Sequence, residues 1–345
     1  MSNRSIWVDY AKAIGIILVV YGHVIRGIFK AGLPIDTDFY RLSDSIVYSF
    51  HMPLFFALSG LFFYKSLSKR GVAGLIGSKI DTVIYPYLIW SIIQGVIEAS
   101  LSSYTNGNVT YREVFSLLWQ PRAQFWFLYA LFIIFVVASV LFSKLSVKSI
   151  LPVFVFAALL YIFQSKYSSN YFVFFITNNL VYFVFGMLLN QWNRIDILSS
   201  GKMVIATAAG FILSQYVFHF VLELTYGQKG LLSLLLALIS ILFVVSLSMY
   251  LARKPAQWFL QVGASSMAIY VMHILAGSGV RVILSKFLEV NSVSVHLIVG
   301  CFMGVIAPMI AVYFINRLKL TFFLSLPISQ YLAVFSKKQA IEKTH

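Results

Sequence analysis

Lys12 and His23 stand 11 residues apart in RSIWVDYAKAIGIILVVYGH, residues 4–23. On a helix that gap is three turns plus about 20°, so both fall on one stripe, roughly 16 Å apart along the axis. Asp9, Gly15 or Ile16, and Val19 share the stripe, and Gly15 leaves room for a neighbouring helix or a ligand. Two readings stand side by side. Asp9 and Lys12 could mark a membrane edge, with His23 a hydrogen bonder between helices. Alternatively, the lysine holds an anion and the imidazole moves a proton, since ionisable groups inside a bilayer are costly and usually functional.

Further residues of the same kind follow. SFHMPLFFALSGLFFYKS carries His51 two positions before Pro53, then Ser59 and Gly60 inside an aromatic run. Proline there predicts a bent helix with a polar residue on each side of the bend. Counting rise per residue puts His23 about 18 Å into its span and His51 about 10 Å into the next from the far side, so both fall in the outer half. SSMAIYVMH adds Tyr270 and His273, which share a helical face at i and i+3. Glu98 and His219 also project into the outer half but carry no linking spacing and read as structural; His296 reads as interfacial, and Asn178 and Asn179 as contacts between helices.

Such side chains need elements to hold them at depth. The 345 residues are 60% hydrophobic and 11% charged, with mean hydropathy +0.87. A soluble domain carries about 25% charge. Apolar runs of spanning length recur along the chain and exclude the ten-residue alternation of a barrel, which makes this an all-α, polytopic integral membrane protein. A window of about 19 residues predicts a bundle of about ten transmembrane helices, near 11–29, 44–64, 82–101, 124–142, 148–164, 171–190, 203–222, 230–251, 264–284 and 295–316. The first run reads as a permanent helix rather than a cleaved signal, because Asp9 interrupts its start. Gly300 and Gly304 offer a close contact in the last span.

The formal charge of +15 is spread singly or in pairs through the short connections, a topology signal and no sign of nucleic-acid binding. With the amino terminus inside, 17 of the 26 Lys and Arg face the cytoplasm. Both termini are therefore expected to be cytoplasmic, in the cell inner (cytoplasmic) membrane. One membrane domain, residues 1–320, is expected, followed by an interfacial segment and basic tail, 321–345, broken by Pro327.

Several chemistries lack their marks. A single cysteine, Cys301, excludes an internal disulfide or cysteine-based zinc cluster. GxSxG, HExxH, Walker A and GxGxxG patterns are missing, and no metal site is expected. Asp36-Thr37-Asp38 has the form of a metal–nucleotide DxD but reads as solvated turn residues. Ten spans with ionisable residues at depth also suit a transporter or flippase, for which related halves would be expected, and none are visible. A glycosyltransferase would want several carboxylates in the cavity, where Glu98 stands alone.

Taken together, these stretches resemble the membrane acyltransferase 3 family, which includes O-acetyltransferases of O-antigens, capsules and exopolysaccharides. Arg4, then Val8-Asp9, then Lys12 and His23 with ten residues between them follow that family's first-span pattern, with Lys12 in place of the motif arginine. FHMPLFFALSGLFF (50–63) is similar to its histidine–proline–SG stretch. SKIDTVIYPYLIW (78–90) looks like its basic segment leading to PY, with Thr82 where a second arginine is common. FWFLYAL (125–131) and SSMAIYVMH (265–273) match its WFL and IYLLH patterns.

The resemblance implies acetyl-CoA, or another acyl-CoA, as a cytoplasmic donor, a hydroxyl of a glycan or lipid-linked sugar as acceptor, and membrane lipids as surroundings. Lys12, Arg70 and Lys79 would hold the donor phosphates, lysine as a point charge where arginine would form a fork; Lys65 and Lys69 read as membrane-edge cations. His23 would act as general base, with His51 orienting or sharing the proton. Ser59, nearby backbone or Tyr270 would steady the oxyanion, with His273 beside them. An acetyl-imidazole intermediate on His23 is the alternative route.

Overall fold

The computed structural model describes residues 6–101, 109–164, 170–192 and 194–330. Arg4 and the tail residues 331–345 lie outside them. Among the described residues the fold is helical throughout, without strands. In chain order the helices are α1 (Ile6–Lys30), α2 (Thr37–Tyr48), α3 (His51–Leu61), α4 (Phe63–Lys79), α5 (Tyr85–Ser100), α6 (Tyr111–Phe115), α7 (Trp126–Lys144), α8 (Ile150–Ile162), α9 (Tyr171–Gln191), α10 (Gly201–Tyr216), α11 (Leu231–Leu251), α12 (Gln257–Ala264), α13 (Ser266–Val282) and α14 (Val293–Arg317).

Every stretch expected to span coincides with a helix. Eight helical segments among the described residues are long and apolar enough to cross a membrane. The other two depart for local reasons. Residues 44–64 are two helices, because proline cannot continue the one before it. Pro53 sits instead in the first turn of α3, where an N–H would lack an intrahelical partner anyway, and the chain breaks at Ser49 and Phe50. The 13-residue α8 is too short to cross without tilt or thinning. Pro86 likewise removes a donor, and the backbone just before it widens into a π-helical turn, Ile80–Ile84, joining α4 to α5.

Helix α1 is the centre of the bundle and packs against α2, α3, α11, α12, α13 and α14. It ends at Gly32, whose φ of 73° lets the N–H groups of Gly32 and Leu33 reach back to the carbonyls of Phe29 and Ile28. Asp36 then caps α2 by accepting from the Phe39 N–H at 2.7 Å, which gives the acidic pair of the Asp-Thr-Asp stretch a helix-starting role. Small residues set the closest approaches, as membrane bundles require. A Cβ at Gly60 of α3 would run into the Phe183 carbonyl of α9, and one at Gly186 of α9 into the Ala57 carbonyl of α3. Gly300 and Gly304 of α14 seat Val24 and Val20 of α1. The stretch after α14 turns back over the end of α5: Trp90 donates to the Phe323 carbonyl at 2.8 Å, and Asp81 accepts from the Ser329 N–H at 2.8 Å.

Candidate functional site

The break between α2 and α3 leaves helix-end carbonyls to be satisfied, and His51 takes one of them. Its Nδ1 lies 2.7 Å from the Val47 carbonyl oxygen. A carbonyl only accepts, so Nδ1 carries the proton and Nε2 is left with a lone pair. That Nε2 is buried and has no partner among the described residues. His273 repeats the device on α13, with Nδ1 2.8 Å from the Tyr270 carbonyl and a buried Nε2 without a partner among the described residues. Two imidazoles thus present basic nitrogens whose tautomer is set by backbone.

His23 lies beside both. Its ring centroid is 5.0 Å from that of His273 and 6.4 Å from that of Tyr48, while Tyr48 meets the His51 ring edge-on at 4.4 Å. Gly22 makes this possible, because a Cβ there would sit 2.9 Å from the Tyr48 ring. Arg26 and Lys30 follow His23 along α1, about one and two turns on. Arg26 is fixed in place by Asp44, with Nε–Oδ1 of 2.6 Å and Nη2–Oδ2 of 2.9 Å. The same guanidinium donates to the Tyr226 hydroxyl and lies 3.3 Å above the Tyr48 ring, so it clamps Tyr48 by a cation–π contact.

His23, His51, Tyr48 and Tyr270 open onto one cavity of about 880 Å³, walled by α1, α2, α3, α5, α13 and the approach to α7. A volume of that order suits a drug-sized ligand. Glu98, paired with Arg122, and Gln124, paired with Gln94, also line it. A narrow cleft beside it is bordered by His23, His273, Arg281 and His296. His296, read from sequence as interfacial, is 2% exposed, its Nε2 donating to the Val290 carbonyl at 2.8 Å.

The residues selected from sequence therefore divide. His23, His51, Tyr270 and His273 are gathered around the cavity and its side cleft. Ser59 is not: it lies eight residues along α3 from His51, about 12 Å, and lines neither space. The Tyr270 hydroxyl is committed to the Gln124 carbonyl, whereas the buried Tyr48 hydroxyl has no hydrogen-bond partner among the described residues and is free to donate. Its signal in the sequence is its place three residues before His51.

Lys12, Arg70 and Lys79 form a second group towards the other end of α1, outside the cavity lining. Lys12 pairs with Asp9 at 3.7 Å. Lys79 lies 4.1 Å above the Phe135 ring, and Arg70 donates to the Ser78 hydroxyl at 2.5 Å. The charges of Lys12 and Arg70 both reach Lys79, so three cations from two helices share one region. His219 is held by Gln215 and the Leu224 carbonyl, away from both groups.

Comparison with known proteins places this arrangement in context. The acyltransferase 3 family, described as an acyltransferase domain, matches residues 5–313. Nodulation protein NolL of Mesorhizobium japonicum is 29% identical over 154 residues, which is 42% of this chain and 39% of that protein. NolL of Sinorhizobium fredii is 30% identical over 146 residues, 42% of this chain and 37% of the relative. The match thus spans about two fifths of each curated relative. No solved structure matches.

Proposed function

The chain belongs to the acyltransferase 3 family, and from that premise we propose that it is an integral-membrane O-acyltransferase. It moves an acetyl group from acetyl-CoA to a hydroxyl of a cell-surface polysaccharide or lipid-linked glycan. The single observation that carries this reading is the convergence of His23, His51 and His273 with Tyr48 at a membrane-embedded cavity.

The acceptor hydroxyl attacks the thioester carbon as His23 takes its proton; the C–O bond forms, the C–S bond breaks, and the proton passes from His23 to the departing thiolate. A positioned base contributes typically about 10² to 10⁴ in rate. Tyr48, rather than Ser59 or Tyr270, is the hydroxyl suited to the oxyanion, because its O–H has no other partner among the described residues and Arg26 holds its ring. His51 and His273 keep basic nitrogens beside His23 and act as positioning residues. At the far end, Lys12, Arg70 and Lys79 suit the anionic end of CoA, and the separation of about 16 Å along α1 is left to the extended pantetheine arm. With that end cytoplasmic, as the positive-inside rule favours, the histidine cavity belongs to the outer half of the inner membrane.

Mass spectrometry of surface glycans from cells with and without this chain tests the class of reaction. An increment of one acetyl group per modified sugar, present only with the chain, is expected. Identical glycans in both, with the protein expressed and folded, would contradict it.

A further inference from the structure

The cations around the cavity are not equally balanced. Arg26 is neutralised by Asp44, and Glu98 by Arg122. Arg281 of α13 has no acidic side chain within salt-bridge distance among the described residues. Its Nε is buried without a hydrogen-bond partner, and the side chain borders both the cavity and the side cleft. It packs over α1 at Gly27, where an added Cβ would lie 3.8 Å from Nε. Gly27 is one helical turn beyond His23, about 6 Å along the axis, and Lys30 adds an exposed cation on the same rim.

A half-buried arginine at this wall, its Nε enclosed and no acidic side chain in reach among the described residues, is costly in a membrane, and an anion on a ligand is what offsets such a cost. The donor's phosphates do not fill this role in the proposed reaction, because their cations are at the opposite end of α1. Resting on that reading of the site, we propose that Arg281, supported by Lys30, is an anion-docking site for the acceptor. The acceptor is then a sugar bearing a carboxylate or phosphate group close to the hydroxyl that is acylated. Arg281 suits such a group because its guanidinium offers a planar fork to two oxygens.

The test is direct binding to the purified full chain in a detergent without a sugar headgroup, read as protection against thermal unfolding. Glucose 1-phosphate, glucuronate and glucose serve as probes. At least one of the two anionic sugars is expected to protect where glucose does not, and which of them does so identifies the acceptor's anion as phosphate or carboxylate. Arg281→Gln should weaken that protection about tenfold or more, as loss of a charged hydrogen-bonded contact does. Arg281→Lys should fold like the wild type and lose less, and Lys12→Gln should leave the protection unchanged. The proposal is overturned if neither anion protects better than glucose, if Arg281→Gln and Arg281→Lys both bind as the wild type does, or if Lys12→Gln loses as much as Arg281→Gln. Because the readout needs no acyl transfer, its failure in a chain that still acylates glycans would remove this site alone, and binding without acylation would remove the proposed reaction alone.

Discussion

His51 and His273 each give Nδ1–H to a backbone carbonyl and keep Nε2 for other use, which is the chemical content of the site at the scale of single residues. Neither feature can be read from the letters H and P alone, since it depends on which carbonyls the break at Ser49 and Phe50 leaves near the ring. Lys12 carries a prediction at this scale. A lysine meets phosphate as a point charge, so Lys12→Arg should keep or lower the KM for acetyl-CoA, and Lys12→Gln should raise it by about threefold to tenfold, with kcat little changed. Initial rates over a range of donor concentrations at saturating acceptor decide it. An unchanged KM in Lys12→Gln would detach the Lys12, Arg70 and Lys79 group from the donor. Of the candidate residues, His23, His51, Tyr270 and His273 were legible in sequence because spacing and the family-like motifs point to them. Tyr48, Arg281 and His296 were not, because what sets them apart is buried polar atoms without a partner among the described residues and contacts between helices distant in the chain.

Among the elements, the pair α3 and α9 shows how the bent second span is held. Gly60 lies against the Phe183 backbone of α9 and Gly186 against the Ala57 backbone of α3, so closely that neither position admits a Cβ without moving a helix. Gly60→Ala or Gly186→Ala is expected to cost about 1–3 kcal/mol by overpacking, measured as a lower midpoint of thermal unfolding in detergent. Gly210→Ala in α10 is the comparison, because its Cβ would meet only Ile239 Cγ2 at 3.6 Å, and no loss is expected there. Equal midpoints for all three variants would show that these close contacts do not brace α3. Hydropathy located the helices well, and proline signalled an interruption in the second span, but the break falls at Ser49 and Phe50, ahead of His51, so His51 and Ser59 lie on one helix and not on either side of a bend. The π-helical turn ahead of Pro86 and the short α8 escaped it, since a window average does not register a one-residue change in backbone pitch or a helix shorter than the membrane.

Across the whole molecule, two charged regions lie at opposite ends of α1, joined by a span on which six helices pack, several of the closest contacts being made at glycines of α1, α12 and α14. In the proposed reaction the Lys12 region would take the donor from one side, and the cavity around His23 the acceptor from the other. Composition and the recurrent apolar runs made the helical membrane class legible, but the separation of the two regions emerged only from packing. The most direct measurement of the central claim uses the purified full chain reconstituted in vesicles, with radiolabelled acetyl-CoA and extracted surface glycan, comparing wild type, His23→Gln and His23→Ala. Label should pass to the glycan in the wild type, and both variants should transfer at least about 100-fold more slowly while keeping the wild-type unfolding midpoint. Transfer at the wild-type rate by a folded His23→Gln protein would contradict the account.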